Sequence, residues 1–283
     1  MDGGAQAGLA SCAIPAAAYF AAAETRIQYA QANRTDFGAV NVRPSGFILA
    51  MVVLGGGLLA SATGGQGARS GFPLSPGTEW IYRGFVRSPD EDSTVGKVTG
   101  VTWKMSVVRT VERDGILAAV VSGFPGDLNW SEGDAQPQLS MLIETDDSKF
   151  YLNSEWNTQA VKDQLDNPKY PLRELVETDD WFLQLPLVEG KKFCDEQAMA
   201  RDDGEYCWVA GPPHPADLHG VKGVAAPGAR NAYELRYATN PDDTEIEFVE
   251  GIGITSYEYH HHGTVAETDV HLIEFHPAES AGR

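Results

Sequence analysis

From Gly71 onward the chain is a succession of short runs of β-branched and aromatic residues, each stopped within a few positions by Gly, Asp or Asn. Runs of that kind are too short and too regularly interrupted for a helical core, and they predict antiparallel strands joined by tight turns. Residues 78–86 read as the first strand. Residues 101–111 and 116–121 read as a hairpin around Asp114-Gly115, where glycine supplies the positive φ of a tight turn. The runs 139–144 and 149–152 repeat the design around Asp146-Asp147, and 158–165 is the first short helix expected. In 181–187, Pro186 marks a sheet edge or a strand end, because proline cannot donate to a ladder. The Gly- and Pro-rich segment 211–228 is expected to be a long loop. Segments 233–237, 245–249, 252–261 and 265–275 read as a closing antiparallel meander.

Ahead of this region, residues 47–62 form an uncharged apolar stretch interrupted by Gly55-Gly56-Gly57, preceded by Arg43 and followed by Ala60-Ser61-Ala62. A basic residue, a short apolar core and a small-x-small site are the parts of an export signal. The core is short for a membrane span, and three glycines weaken it as a helix. The expected organisation is therefore a non-conforming, alanine-rich leader over 1–41, a signal peptide or anchor over 42–68, and one exported β-rich domain over 69–283. Val42 is a place where translation can start, which would make the leader a mis-assigned start. Cleavage is expected near Ala62 or Ala68. If the signal is instead retained, residues 46–62 form an apolar anchor helix that holds the domain outside the cytoplasm, as in an accessory subunit of a membrane complex.

Charge bounds the partners. Residues 1–62 hold as many basic as acidic groups, so the net charge of −19 belongs entirely to residues 63–283. Such a surface repels phosphate backbones and anionic lipid, which excludes nucleic acid and electrostatic membrane binding and favours cations. The cysteines agree with an oxidising compartment. Cys194 and Cys207 flank the turn-prone 200–204 segment, and two strands folding back around it bring the sulfurs together. A disulfide there contributes about 2 to 3 kcal/mol. A reactive thiol pair or half of a metal site is the rival reading, and the absence of C-x-x-C speaks against it.

Three segments carry a resemblance: 72–80 (FPLSPGTEW), 185–190 (LPLVEG) and 249–254 (VEGIGI). Following a signal and preceding a terminal strand pair, this layout resembles uncharacterised secreted bacterial β-proteins. The resemblance implies a strongly curved antiparallel sheet, similar to the open half-barrels of periplasmic lipoprotein carriers, and brings no activity with it.

Two constellations could carry chemistry. All seven histidines lie after residue 213, and His260, His261 and His262 are consecutive. A two-residue turn at His262-Gly263 would place Glu258, His260, Glu267, Asp269 and His271 on one face, with Glu258 directly across from Glu267. Like charges so placed repel unless solvated or bridged, so the face is a candidate divalent cation site. A solvated outer face is the plainer account, since no H-E-x-x-H, zinc-finger spacing or EF-hand loop occurs. The acidic pairs at 146–147, 179–180, 202–203 and 242–243 read as hydrated turns. The other constellation is aromatic: Trp80, Trp103, Trp181 and Trp208 could line a concave cavity for an apolar ligand, although such side chains are more often core. No G-x-S-x-G elbow, no triad spacing and no complete dinucleotide fingerprint appears, so no catalytic residue is assigned and no cofactor beyond a divalent cation is expected.

The sequence thus reads as a mainly β, single antiparallel domain, a strongly curved sheet or half-barrel with one or two short helices. The expected role is a non-catalytic binding or scaffold protein, periplasmic or extracellular, for an apolar ligand or a partner protein. A metal-binding protein or metal-dependent enzyme built on the His/Glu hairpin is the alternative.

Overall fold

The structure, a computed structural model, describes residues 71–90, 92–153, 159–176, 181–224 and 230–278. The leader 1–41, the signal segment 42–68, Cys12, Trp156 and the 179–180 pair lie outside the described residues. Among the described residues no helix is long and apolar enough to cross a membrane.

Thirteen strands form a single antiparallel sheet: β1 Glu79–Asp90, β2 Ser93–Arg113, β3 Ile116–Ser122, β4 Leu139–Glu144, β5 Lys149–Asn153, β6 Trp181–Gln184, β7 Lys192–Phe193, β8 Trp208–Ala210, β9 His214–Pro215, β10 Asn231–Ala238, β11 Asp242–Val249, β12 Gly253–His261 and β13 Glu267–His276. Their order is β6-β5-β4-β3-β2-β1-β13-β12-β11-β10-β8-β7, with β9 paired to β10 off this path. Among the described residues two short α-helices accompany them, α1 Gln159–Asp166 and α2 Glu196–Met199. The chain therefore lays down one meander, then a second, and its last strand closes on its first: Trp80 faces Phe275 and Arg87 faces Glu267. The segment expected to be a plain loop at 211–228 carries the two-residue strand β9, where His214 pairs with Ala232.

The sheet bends until its edge strands meet. No strand pairing joins β6 to β7; rings do it instead, Trp181 against Phe193 at 5.6 Å and Phe182 against Trp208 at 5.0 Å between centroids. Lys191 Nζ donates to Gln184 Oε1 across the same seam at 2.6 Å. Beside it, the Cys194–Cys207 disulfide ties the residues that follow β7 and precede β8, one step beyond the Phe193–Trp208 pair.

Alternation then decides which side chains enter the concave side. Trp80, Tyr82 and Val86 of β1, Met105 and Val107 of β2, Phe150 of β5, Phe248 of β11 and Val270 of β13 are all buried in one core. Phe72, arriving just before β1, is packed into the middle of it, with its ring 5.8 Å from Trp80, 5.5 Å from Phe248 and 6.3 Å from Phe150. The polar tips of the buried rings find acceptors, as they must at such depth: Trp80 Nε1 donates to the Ile252 carbonyl, Tyr82 Oη to that of Ile254, and Trp103 Nε1 to that of Gly123. Gly253, at φ 98°, lets the backbone pass against Phe72; a Cβ there would lie 2.6 Å from the ring. On the outside of β3–β5 a smaller apolar cluster of Ile116, Ala118, Met141, Ile143 and Tyr151 is covered by Leu165, at the C-terminal end of α1, and by Leu172 and Leu175.

Candidate cation-binding groove

The outer face of β10 to β13 is built by the same alternation that fills the inside. On β11, Ile246 and Phe248 are fully buried, so Glu245 and Glu247 stand outward. On β12, Tyr257 and Tyr259 point in, leaving Ser256, Glu258 and His260 outside; on β13, Thr268, Val270 and Leu272 point in, leaving Glu267, Asp269 and His271 outside.

Register sets which of these become neighbours. Glu258 lies directly across from Asp269, His260 from Glu267, and Ser256 from His271. The sequence reading opposed Glu258 to Glu267, and the structure corrects this by two residues. The connection is longer than the two-residue turn assumed, running from His262 to Ala266 and closed by the His261 N–H on the Ala266 carbonyl. A shift of two preserves the face of every side chain, whereas a shift of one would have inverted them all.

Of the five hairpin residues singled out, Glu258, Asp269 and His271 converge, their ligand atoms lying within 4.8 Å of one another. His271 Nε2 is 2.9 Å from Asp269 Oδ1. The other two sit one row along. Glu267 is held by Arg87 at 2.8 Å, and His260 lies 3.8 Å from Glu267 and 3.9 Å from Glu258. Glu245 faces Glu258 from the opposite strand. Partial burial, with the negative charges of Asp269 and Glu245 on either side, raises the Glu258 carboxyl above the ordinary glutamate range. A carboxylate, an aspartate and an imidazole so grouped are a donor set suited to a divalent cation.

A strap crosses this face. It leaves β9, paired to β10 at Asn231 and Ala232, and passes to Lys222, whose N–H donates to Ile273 and whose carbonyl accepts from Phe275 on β13. At the β9 end His214 Nε2 meets Glu247 Oε2 at 3.0 Å, and that partner raises the imidazole's pKa. Thr255 Oγ1 donates to the other oxygen of Glu247 at 2.6 Å. Between strap and sheet lies a groove of about 450 Å³, lined from above by His214, Asp217, Leu218, His219 and Val221. From below it is lined by Glu234, Glu245, Glu247, Glu258, His271 and Leu272, among others.

The four tryptophans singled out as a ligand cavity lie elsewhere. Trp80 and Trp103 belong to the packed core, and Trp181 and Trp208 pack at the seam. Glu234, Glu245, Glu247 and His214 were not singled out. The signal was present for two of them, since Glu245 and Glu247 alternate with Ile246 and Phe248, but nothing in the sequence shows a strap folding over them.

No protein-family model matches the chain, and no curated protein matches it. Among solved structures, a Bacteroides fragilis protein with a YmcC-like fold, described as one proposed to be exported, is similar over 73% of this chain and 99% of its own. Identity is 11% and the TM-score 0.35, too loose a likeness to assign fold or activity.

Proposed function

We propose that this chain is an exported, non-catalytic binding protein whose ligand site is the strapped groove on the outer face of β10–β13, and that the ligand is a cation. One observation carries the reading: Glu245, Glu258 and Asp269 stand side by side on three adjacent strands, and while Arg236 meets Glu245 at 3.5 Å and His271 meets Asp269 at 2.9 Å from the outer sides, the central Glu258 has a carboxylate on either hand, a cost in free energy that a bridging positive charge relieves. Glu258, Asp269 and His271 supply the donors for a divalent ion. The apolar ligand expected within the curved sheet is set aside, because Phe72, Trp80, Phe150 and Phe248 occupy that interior. Export rests on the apolar stretch and small-residue site of 47–62, the Cys194–Cys207 disulfide and the acidic composition.

The test is titration calorimetry and thermal unfolding of the full, untagged chain with inorganic and organic cations, at matched ionic strength. Saturable binding that Glu258→Gln weakens at least about tenfold is expected. Cation effects no larger than those of sodium chloride would overturn the reading.

A further inference from the structure

We infer that the groove's ligand is a linear aliphatic diamine or polyamine rather than a bare metal ion; this rests on the cation reading above and gives it a substrate class. Size is the first argument. A groove of about 450 Å³ falls within the range of small-molecule sites. A metal ion with a few waters, at about 30 Å³ each, would fill only part of it.

Charge is the second. The groove is lined by five carboxylates, Asp217, Glu234, Glu245, Glu247 and Glu258, and by no lysine or arginine; the one guanidinium that reaches a lining carboxylate is that of Arg236, 3.5 Å from Glu245. The carboxylates on the sheet fall into two poles. Glu234 is directly across from Glu247 on β10 and β11, and Glu245 is directly across from Glu258 on β11 and β12. Glu245 and Glu247 are two positions apart on one strand, so the poles are separated by about 6.7 Å at 3.3 to 3.4 Å per residue. That span matches two ammonium groups joined by a chain of four or five methylenes.

The third argument is independent of charge. Leu218 and Val221 on the strap line the same groove. An apolar strip offers nothing to a metal ion, but it takes methylenes out of water at about 25 cal/mol per Å². The strap is fastened at both ends, at β9 and at Lys222, so it holds that strip over the poles. Glu247 is met by His214 at 3.0 Å and by Thr255 at 2.6 Å, so an arriving ammonium group competes with those partners for its oxygens.

The experiment is titration calorimetry of the full, untagged chain with 1,4-diaminobutane, 1,5-diaminopentane and spermidine, against butylamine and against Ca²⁺ and Zn²⁺ chlorides. The diamines are expected to bind at least about tenfold tighter than the monoamine. Glu258→Gln at one pole should cost a diamine at least about tenfold in affinity and the exposed Glu234→Gln at the other several-fold, while leaving butylamine less affected, with unfolding curves confirming that both variants fold. Diamine and monoamine of equal affinity, or insensitivity to either substitution, would overturn the inference. Metal binding without diamine binding would overturn it while sparing the cation reading, and binding of neither would remove both.

Discussion

Glu258 on β12 and Asp269 on β13 are directly opposite one another, and Glu245 faces Glu258 from the other side, so one cross-strand row carries three adjacent carboxylates. Like charges so placed cost about 0.2 to 1 kcal/mol per pair. A group whose pKa is raised on folding contributes stability that is complete below its unfolded value and lost as pH rises through its folded one. For Glu258 that window begins near the ordinary glutamate value of 4.5 and extends upward. Glu258→Gln is therefore expected to raise stability at pH 7 by up to about 1 kcal/mol, a ceiling set by its partial exposure, and to leave stability at pH 4 nearly unchanged. Urea unfolding at the two pH values measures this.

His214 gives the opposite face of the same logic. Its pKa is raised above 6.5 by Glu247, so the strap's attachment at that end is complete below 6.5 and weakens as pH climbs through the raised value. Amide protection factors in 214–224 should fall as pH rises above about 6.5, the ordinary histidine value. His214→Ala should flatten that dependence.

Phe72 is central to the interior, and the loss of its ring leaves a cavity walled by Trp80, Phe150 and Phe248. Phe72→Ala is expected to destabilise the protein by about 3 to 5 kcal/mol. Chemical denaturation read by near-ultraviolet circular dichroism would show it as a lowered midpoint at an unchanged slope.

The disulfide spans a separation of 13 residues. Replacing both Cys194 and Cys207 by alanine should cost about 3 kcal/mol, through the looser unfolded chain. The same loss should follow treatment of the parent protein with dithiothreitol, and the double variant should be indifferent to that reagent.

Much of this was legible because strand period and turn chemistry are local. Residues 139–144 were delimited as observed, and the strand run stopped by Pro186 is an edge strand. The hairpin faces were legible too, although the Glu258 register was wrong by two, because parity survives such an error while partner identity does not. What stayed hidden depends on contacts far apart in sequence. Nothing near Phe72 announces that it will sit between Trp80 and Phe248, and nothing in 211–224 announces that it will run from the β10 edge to Ile273 on β13. By composition the tryptophans suit a core more often than a ligand cavity, and only distant neighbours place Trp80 and Trp103 in the packed interior.

Because β1 pairs with β2 on one side and with β13 on the other, the opening strand must wait almost the whole length of synthesis for its second neighbour. Until Glu267–His276 has been made, Trp80 through Arg87 present an unpaired ladder, an invitation to intermolecular β-pairing. Messages cut short anywhere upstream of Glu267 should accordingly yield insoluble protein, whatever fraction of the sheet they encode.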